Sequence, residues 1–346
     1  MGRRILITGV SRFLGSHLAK VLEADPSVEA VFGVDLAAPA IELERTEFIR
    51  ADIRNPLIVK VLTSTGVDTV VHAAVIATPA GVGGRASMKE INVIGTMQLF
   101  AACQKAPALR QVVMKSTTSV YGSDPTDPAI FTEAMGPASE PKTGYARDAW
   151  EVENAARAFA RRRPEVGLTL LRYANFIGPR IDTPLTRYLS LPVVPTALGF
   201  DPRIQFIHED DAVEILRRAV LEPNPGTYNA AGDGIVYLSQ AIRVCGKVPL
   251  PVPVAAIGPI GTLVRRTGLV DFSAEQVAFL LYGRVADNDA LKTTFGYPPR
   301  YSTRQALRDF ASRARLARVF TEERAADVER KVVSLLGRGR VAGEGA

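Results

Sequence analysis

The chain reads as an α/β protein: a doubly wound parallel sheet with a smaller C-terminal lobe that takes the substrate. Three observations predict this. Short, near-continuous apolar runs alternate with helix-period segments through the first 175 residues, as expected of parallel strands buried on both faces. A glycine-bearing turn follows the first apolar run and opens the first helix. Beyond Asn175 the alternation stops and Pro179, Pro184, Pro192, Pro195 and Pro202 crowd together. That composition predicts loops and short pieces over the carboxyl edge of the sheet, where ligands of open α/β folds bind.

Each element follows in order. Ile5-Leu6-Ile7 is the first strand, and Leu14, Leu18, Val21 and Leu22 then recur at helical spacing. Residues 31–34 form a second strand that ends at Asp35, and Phe48-Ile49 a third. Residues 57–62 are a helix opened by Pro56. Thr69-Val70-Val71 is the fourth strand, followed by a long helix through Ile91, Ile94 and Leu99. Val112-Val113-Met114 is the fifth, residues 145–163 a helix stopped by Pro164, and residues 168–171 the sixth strand. These assignments divide the chain into a Rossmann-type dinucleotide-binding unit at 1–175, whose core continues through returning segments, and a lobe at 176–315. A C-terminal helix and frayed tail are expected at 316–346.

Composition narrows the function classes. Hydrophobic residues make up 47% and charged residues 23%, ordinary values for a globule with a large core. The net charge of +6 is spread along the chain. Its one dense run, Arg161-Arg162-Arg163, reads as a cationic helix end opposing the macrodipole; no aromatic residues interleave as a nucleic-acid surface would require. Cys103 and Cys245 sit in apolar surroundings and read as buried thiols, which points to a reduced, cytoplasmic setting. His17, His72 and His208 are scattered, with no metal-ligand spacing. The N-terminus lacks the pattern of a signal peptide. The most apolar stretch, 248–264, is interrupted by Pro249, Pro251, Pro253 and Pro259, so no membrane-spanning helix is expected. That stretch is expected to fill the core of the lobe, or alternatively to line an apolar pocket.

The turn Thr8-Gly9-Val10-Ser11-Arg12-Phe13-Leu14-Gly15 carries the first chemical signal. Gly9 permits a tight turn and Gly15 a close helix–strand contact, and the helix N-terminus offers its N–H groups to a pyrophosphate. The middle glycine of the usual fingerprint is absent, with Arg12 or Phe13 in its place. Arg12 either crowds the phosphates or pairs with one directly. Asp35, 20 residues beyond Gly15, is placed to accept hydrogen bonds from the adenosine ribose. It would repel a 2′-phosphate, which favours NAD over NADP, although Arg12 pulls the other way.

Further marks follow: Ala51-Asp52-Ile53, Val71-His72-Ala73-Ala74, Asn92-Val93-Ile94-Gly95-Thr96, Ser116 to Gly122, Tyr145 and Arg172-Tyr173-Ala174-Asn175. Gly178-Pro179, Phe206 to Asp211, Tyr228-Asn229 and Phe295-Gly296-Tyr297-Pro298 continue the series. With these the chain resembles, over 4–312, the extended short-chain dehydrogenase/reductase family of the NAD-dependent epimerase/dehydratase type. The resemblance implies that Asp52 and Ile53 flank the adenine, and that Ala73, Ala74 and Asn92 belong to the cofactor site. It also matches Thr117 and Tyr145 to the catalytic Ser/Thr and tyrosine, and brings Asn175 to the substrate. The implied chemistry is proton and hydride transfer at a carbinol or carbonyl carbon. The implied partners are a nucleotide sugar, for which Arg203 and Arg284 are candidate diphosphate clamps, and a second copy of the chain. That copy would pair through helices around 88–105 and 145–163.

One departure bears on the chemistry. A tyrosine needs a nearby cation to ionise near neutrality, and the family supplies a lysine four residues later. Here that residue is Ala149. Arg147 points elsewhere on the helix, and Lys142 precedes it. Lys115, two residues before Thr117, is the better substitute, its alternative being a solvated lysine at a strand end. The acidic pair of dehydratase members is missing beside Thr117, so epimerisation or oxidoreduction is expected over water elimination. Two alternatives stand beside that enzyme: a cofactor-binding regulator or scaffold without turnover, motivated by Ala149, and a dehydrogenase of a steroid or isoprenoid alcohol, motivated by the apolar stretch 248–264.

Overall fold

The computed structural model describes residues 2–77, 84–137, 141, 144–255 and 274–313. Seven parallel strands form the central sheet: β1 (Arg3–Thr8), β2 (Val28–Asp35), β3 (Thr46–Arg50), β4 (Thr69–His72), β5 (Gln111–Thr117), β6 (Gly167–Tyr173) and, later in the chain, β11 (Gly226–Ala230). Their order is β11-β6-β5-β4-β1-β2-β3, and every neighbouring pair is parallel. The chain winds outward from β1 through β2 and β3, then crosses back to β4 on the other side. The crevice above β1 and β4 is therefore the topological switch point. Six of these strands match the apolar runs. The seventh, at the sheet edge, reads Gly-Thr-Tyr-Asn-Ala and has no apolar run to announce it.

Helices cover both faces. On one side α1 (Phe13–Glu23) packs beside α7 (Glu209–Leu221) over a core containing Ile5, Ile7, Leu18, Val71, Leu171 and Leu216. On the other, α2 (Ile58–Thr65), α4 (Gly95–Gln104) and α5 (Gly144–Arg162) cover Leu6, Val70, Leu99, Val112 and Phe159. Side chains this fully enclosed contribute about 1.5–3 kcal/mol each. Cys103 lies in the second cluster, where burial pushes its thiol up to about 12. The arginine run does more than end α5. Arg163 turns to the carbonyls of Cys103 and Gln104 at 3.1 and 3.0 Å, satisfying the exposed acceptors at the end of α4.

The long helix expected near 88–105 is segmented. It runs as α3 (Arg85–Lys89), a π-helical turn over Glu90–Ile94, and α4. Such widened turns concentrate at functional sites. This one carries Asn92, whose amide donates to Ile76 O at 2.9 Å and whose carbonyl accepts from Ile76 N at 2.7 Å.

The lobe contains α6 (Pro184–Ser190), a parallel pair β8 (Val193–Ala197) and β13 (Val248–Val252), an antiparallel pair β9 (Arg203–Ile204) and β12 (Val236–Tyr237), and α8 (Leu238–Val244). With α9 (Ala274–Tyr282) and α11 (Thr303–Arg313) these surround a third core containing Ile204, Phe206, Ile242, Phe279 and Cys245. A further parallel pair, β7 (Asn175–Ile177) and β10 (Phe206–His208), links it to the sheet. The described part of the apolar stretch is β13 and residues 253–255, with Leu250 half exposed; 256–264 lie outside the described residues, as do Lys142 and the helix and tail expected after 316. After α9 the chain returns to the sheet. α10 (Asp289–Thr293) leads to Phe295 and Tyr297, which join the first core, and the Tyr297 hydroxyl donates to Asp211 at 2.6 Å. Among the described residues no helix is long and apolar enough to cross a membrane, and no cluster of metal-ligating side chains occurs.

Candidate active site

The β1–α1 turn is held by two backbone contacts that leave no room for side chains. Gly9 adopts φ 78°, and a Cβ on it would lie 2.7 Å from Ala74 Cα, so the exits of β1 and β4 touch directly. A Cβ on Gly15 would lie 2.3 Å from Gly9 O. Arg12, in the middle-glycine place, is the extended N-cap residue of α1 (φ −91°, ψ 158°), a conformation open to any residue. It therefore imposes no backbone strain, and no side chain caps the first turn of α1. Ser11 donates to Asp35 Oδ2 from its N–H at 3.1 Å and its hydroxyl at 2.5 Å, which fixes the Asp35 carboxylate at the end of β2. Close backbone approach, an uncapped helix N-terminus and an anchored carboxylate together fit a dinucleotide.

The neighbouring groups are ordered by local pairing. Asp52 forms an ion pair with Arg54 at 2.6 Å, and that hydrogen bonding holds its carboxyl below the usual range. Ile53 is buried and packs where a Cβ on Gly95 would strike it. His72, behind Ala73 and Ala74, is enclosed between Thr8 and Thr96 hydroxyls at 2.7 and 2.8 Å. Thr96 donates to Asn92 O, so its oxygen accepts from Nε2–H and Thr8 donates to Nδ1. Desolvation lowers this imidazole to about 3, so it is neutral.

A cavity of about 1040 Å³ opens from the turn. Ser11, Arg12 and Phe13 line its near end, Thr117 and Tyr145 its wall, and Glu275 and Arg284 its far side. Thr117 ends β5, accepts from Ser119 N at 3.1 Å, and shares a hydrogen bond with the Tyr145 phenol. That phenol is pushed well above its ordinary value, first by desolvation and then by the Glu275 carboxylate. The Thr117 bond and the Arg284 cation oppose the rise. Among the described residues, Arg284 is thus the cation acting on Tyr145. Its guanidinium donates to Gly122 O at 2.7 Å and Ser119 Oγ at 2.9 Å, and desolvation lowers it to about 10. Glu275 accepts from the N–H groups of Tyr145 and Ala146, capping α5 from the lobe, and its own carboxyl is raised by desolvation.

Lys115 is half-buried at the cavity floor rather than solvated. Its ammonium donates to Val75 O at 3.0 Å and lies 5.9 Å from the Phe176 ring centre. Desolvation, helped by Arg12, lowers it to about 8. Ala149 faces a small apolar cluster of Val120, Tyr121, Phe131 and Ala286. Arg147 pairs with Glu151 at 2.5 Å. Asn175 lines the cavity, but Arg203 lies outside its wall, on β9, where its carbonyl accepts from Arg284 N at 3.2 Å. The expected pair of arginine clamps is therefore not assembled: Arg203 supports the backbone of Arg284, and Arg284 is committed to the Thr118–Gly122 turn.

A model of the NAD dependent epimerase/dehydratase family matches residues 5–231. The chain belongs to this family. An uncharacterised protein of Mycobacterium tuberculosis strain H37Rv is 44% identical over 338 residues, 96% of this chain and 90% of that protein. UDP-glucose 4-epimerase 3 of Oryza sativa subsp. japonica is 30% identical over 191 residues, about half of each chain. Among solved structures, the UDP-glucose 4-epimerase of Thermotoga maritima with UDP-glucose superposes with TM-score 0.70 at 21% identity, covering 90% of this chain and 98% of that one. The UDP-glucuronic acid 4-epimerase of Bacillus cereus, in complex with UDP-glucuronic acid and NAD, gives 0.69 at 21% with the same coverage. These likenesses show the extended short-chain dehydrogenase/reductase fold.

Against that family background, three site residues of this epimerase/dehydratase member stand outside the motifs of its sequence. Glu275 is one. The others are Arg85 and Asp148, which form a bidentate pair at 2.6 Å with Asp148 fully buried. Arg85 also donates to Gly144 O at 2.7 Å, and Asn92 to Asp148 at 3.3 Å. This network fixes the residue before Tyr145. The one signal in the sequence was Asp148 itself, an acidic residue one helical turn from a tyrosine that burial would make costly without a partner.

Proposed function

We propose that the chain is an NAD-dependent oxidoreductase or epimerase acting on a nucleotide sugar. The observation carrying this reading is one cavity that joins the glycine turn to the hydrogen-bonded Thr117–Tyr145 pair. Asp35 favours NAD over NADP, because a 2′-phosphate would face its carboxylate. The nucleotide sugars named with the solved neighbours support the substrate class.

Bound at the turn, the dinucleotide supplies the redox capacity of the reaction. The chain's residues handle the proton. With its ionisation suppressed, Tyr145 rests as a phenol and donates a proton to a carbonyl oxygen, with Thr117 orienting the hydroxyl. In the opposite direction the phenol must first ionise, and Arg284 is the cation placed to stabilise it. Carbonyl reduction is thus the direction for which the resting state is prepared, and alcohol oxidation accelerates as pH rises. Incubation with a panel of UDP-sugars and NAD tests the proposal by epimer formation or by absorbance of the reduced cofactor. Tyr145→Phe should abolish turnover while NAD affinity, by calorimetry, holds.

A second reading follows from Ala149: an NAD-binding protein that senses or scaffolds without turnover. Calorimetric NAD binding combined with silence across the substrate panel would favour it. In either case we propose a homodimer through the helix carrying Ile94 and Met97, which are 46% and 49% exposed. Met97→Glu should shift the light-scattering mass toward the monomer.

A further inference from the structure

We propose that Lys115 and Arg12 form a paired cationic clamp for the diphosphate of the cofactor, and that Lys115 serves this anion rather than the Tyr145 phenol. The inference rests on the cofactor reading above and assigns a role within it.

Placement argues first. Arg12 is the N-cap residue of α1, the helix end on which a dinucleotide diphosphate rests in this fold. Lys115 reaches the same crevice from β5, and its ammonium is tied to Val75 O, three residues past the end of β4. Both side chains line one cavity, and Arg12 is the charged group that acts on Lys115. The two cations thus address the switch point from opposite sides.

Charge balance argues second. Among the described residues, the cavity arginines Arg85 and Arg180 each hold a carboxylate, Asp148 and Glu209 respectively. Neither Lys115 nor Arg12 has a carboxylate within ion-pair distance among the described residues. Like charges lining one crevice raise each other's free energy; Asp35, beyond ion-pair distance, offsets this in part for Arg12, and a dianion held between the two cations removes the rest. The ionisation of Lys115 is depressed first by its own desolvation and then by Arg12.

The third point is the division of labour with Arg284. Arg284, from the lobe, is the cation acting on Tyr145 among the described residues. Lys115 is positioned by the Val75 carbonyl and the face of Phe176 instead, and one hydrogen bond to Val75 leaves two of its three N–H donors for an anion. Tyrosine tuning and anion binding are thus assigned to different cations on different elements.

Binding of NAD, ADP-ribose and adenosine to the full chain separates these roles, by calorimetry for the first two and ligand-observed NMR for adenosine. Lys115→Met should weaken NAD and ADP-ribose at least tenfold and adenosine less than twofold. It should also flatten the salt dependence of NAD binding, and Lys115→Arg should recover most of the loss. Arg12→Ala, at an exposed position, should discriminate between the ligands in the same way and covers the case in which Lys115→Met does not fold. Unchanged NAD affinity in both variants overturns the clamp, as does a proportional loss for adenosine, which would mark a structural role. If the natural chain binds none of the three, the cofactor reading falls as well; if it binds all three and the variants match it, only the clamp falls.

Discussion

The Arg284 guanidinium donates to the Ser119 hydroxyl at 2.9 Å, joining residues 165 positions apart. Through this contact the lobe reaches the turn that follows Thr117 and brings its cation to Tyr145. Arg284→Met should raise the apparent pKa of the alcohol-oxidation rate profile and lower its plateau at least tenfold. It should also cost about 1–3 kcal/mol in urea unfolding, since the Ser119 hydroxyl and Gly122 carbonyl lose their donor. An unshifted pH profile would remove Arg284 from the proton chemistry.

Restoring lysine at position 149 is not expected to repair the site. The Ala149 side chain is 1% exposed and lies among Val120, Tyr121, Phe131 and Ala286. The Tyr121 and Phe131 rings stack there at 4.6 Å. Ala149→Lys should overpack this cluster and destabilise the chain by about 1–3 kcal/mol, read as a lower urea midpoint, with no gain in turnover.

Arg85 holds the buried Asp148. Arg85→Ala leaves that carboxylate with Asn92 alone, and removing one partner of a buried pair costs about 3–5 kcal/mol. Since Arg85 is itself partly exposed, the lower end is expected in thermal or urea unfolding. The double change Arg85→Ala with Asp148→Ala should recover part of the loss, because no unpaired charge remains.

His72 predicts a specific acid response. Its folded value, about 3, lies below the ordinary 6.5. Between those values the unfolded chain binds a proton that the folded chain does not. The stabilisation is complete above pH 6.5 and is lost as pH falls toward 3, by up to about 1.4 kcal/mol per pH unit. The difference in unfolding free energy between the natural chain and His72→Asn, measured from pH 7 to pH 4, should follow that slope.

What could be read in advance depended on how locally each feature is encoded. Strands such as β1 and β5 announce themselves because both faces are buried and the residues are contiguous apolar ones. The edge strand β11 does not, since its pairing with β6 supplies the order that its own side chains do not advertise. The glycine turn was legible for the same local reason: Gly9 and Gly15 answer to contacts within the first β-α unit and the end of β4. The proton-handling group was legible only in half. Thr117 and Tyr145 stand in motifs, whereas Glu275 reaches α5 across 129 residues and Arg284 reaches β5's turn across a longer interval. Nothing in the spacing of those two residues encodes such a meeting; it is produced by how the lobe seats on the sheet.

The return of Phe295 and Tyr297 to the central core, with Tyr297 anchored on Asp211, has an engineering consequence. The substrate-facing portion is split into two stretches, one between β6 and α7 and one between β11 and α10, because α7 and β11 belong to the nucleotide-binding half. Exchanging it between relatives therefore calls for four splice points, flanking each of those two stretches. A single-cut chimera would inherit a sheet deprived of its closing aromatic pair.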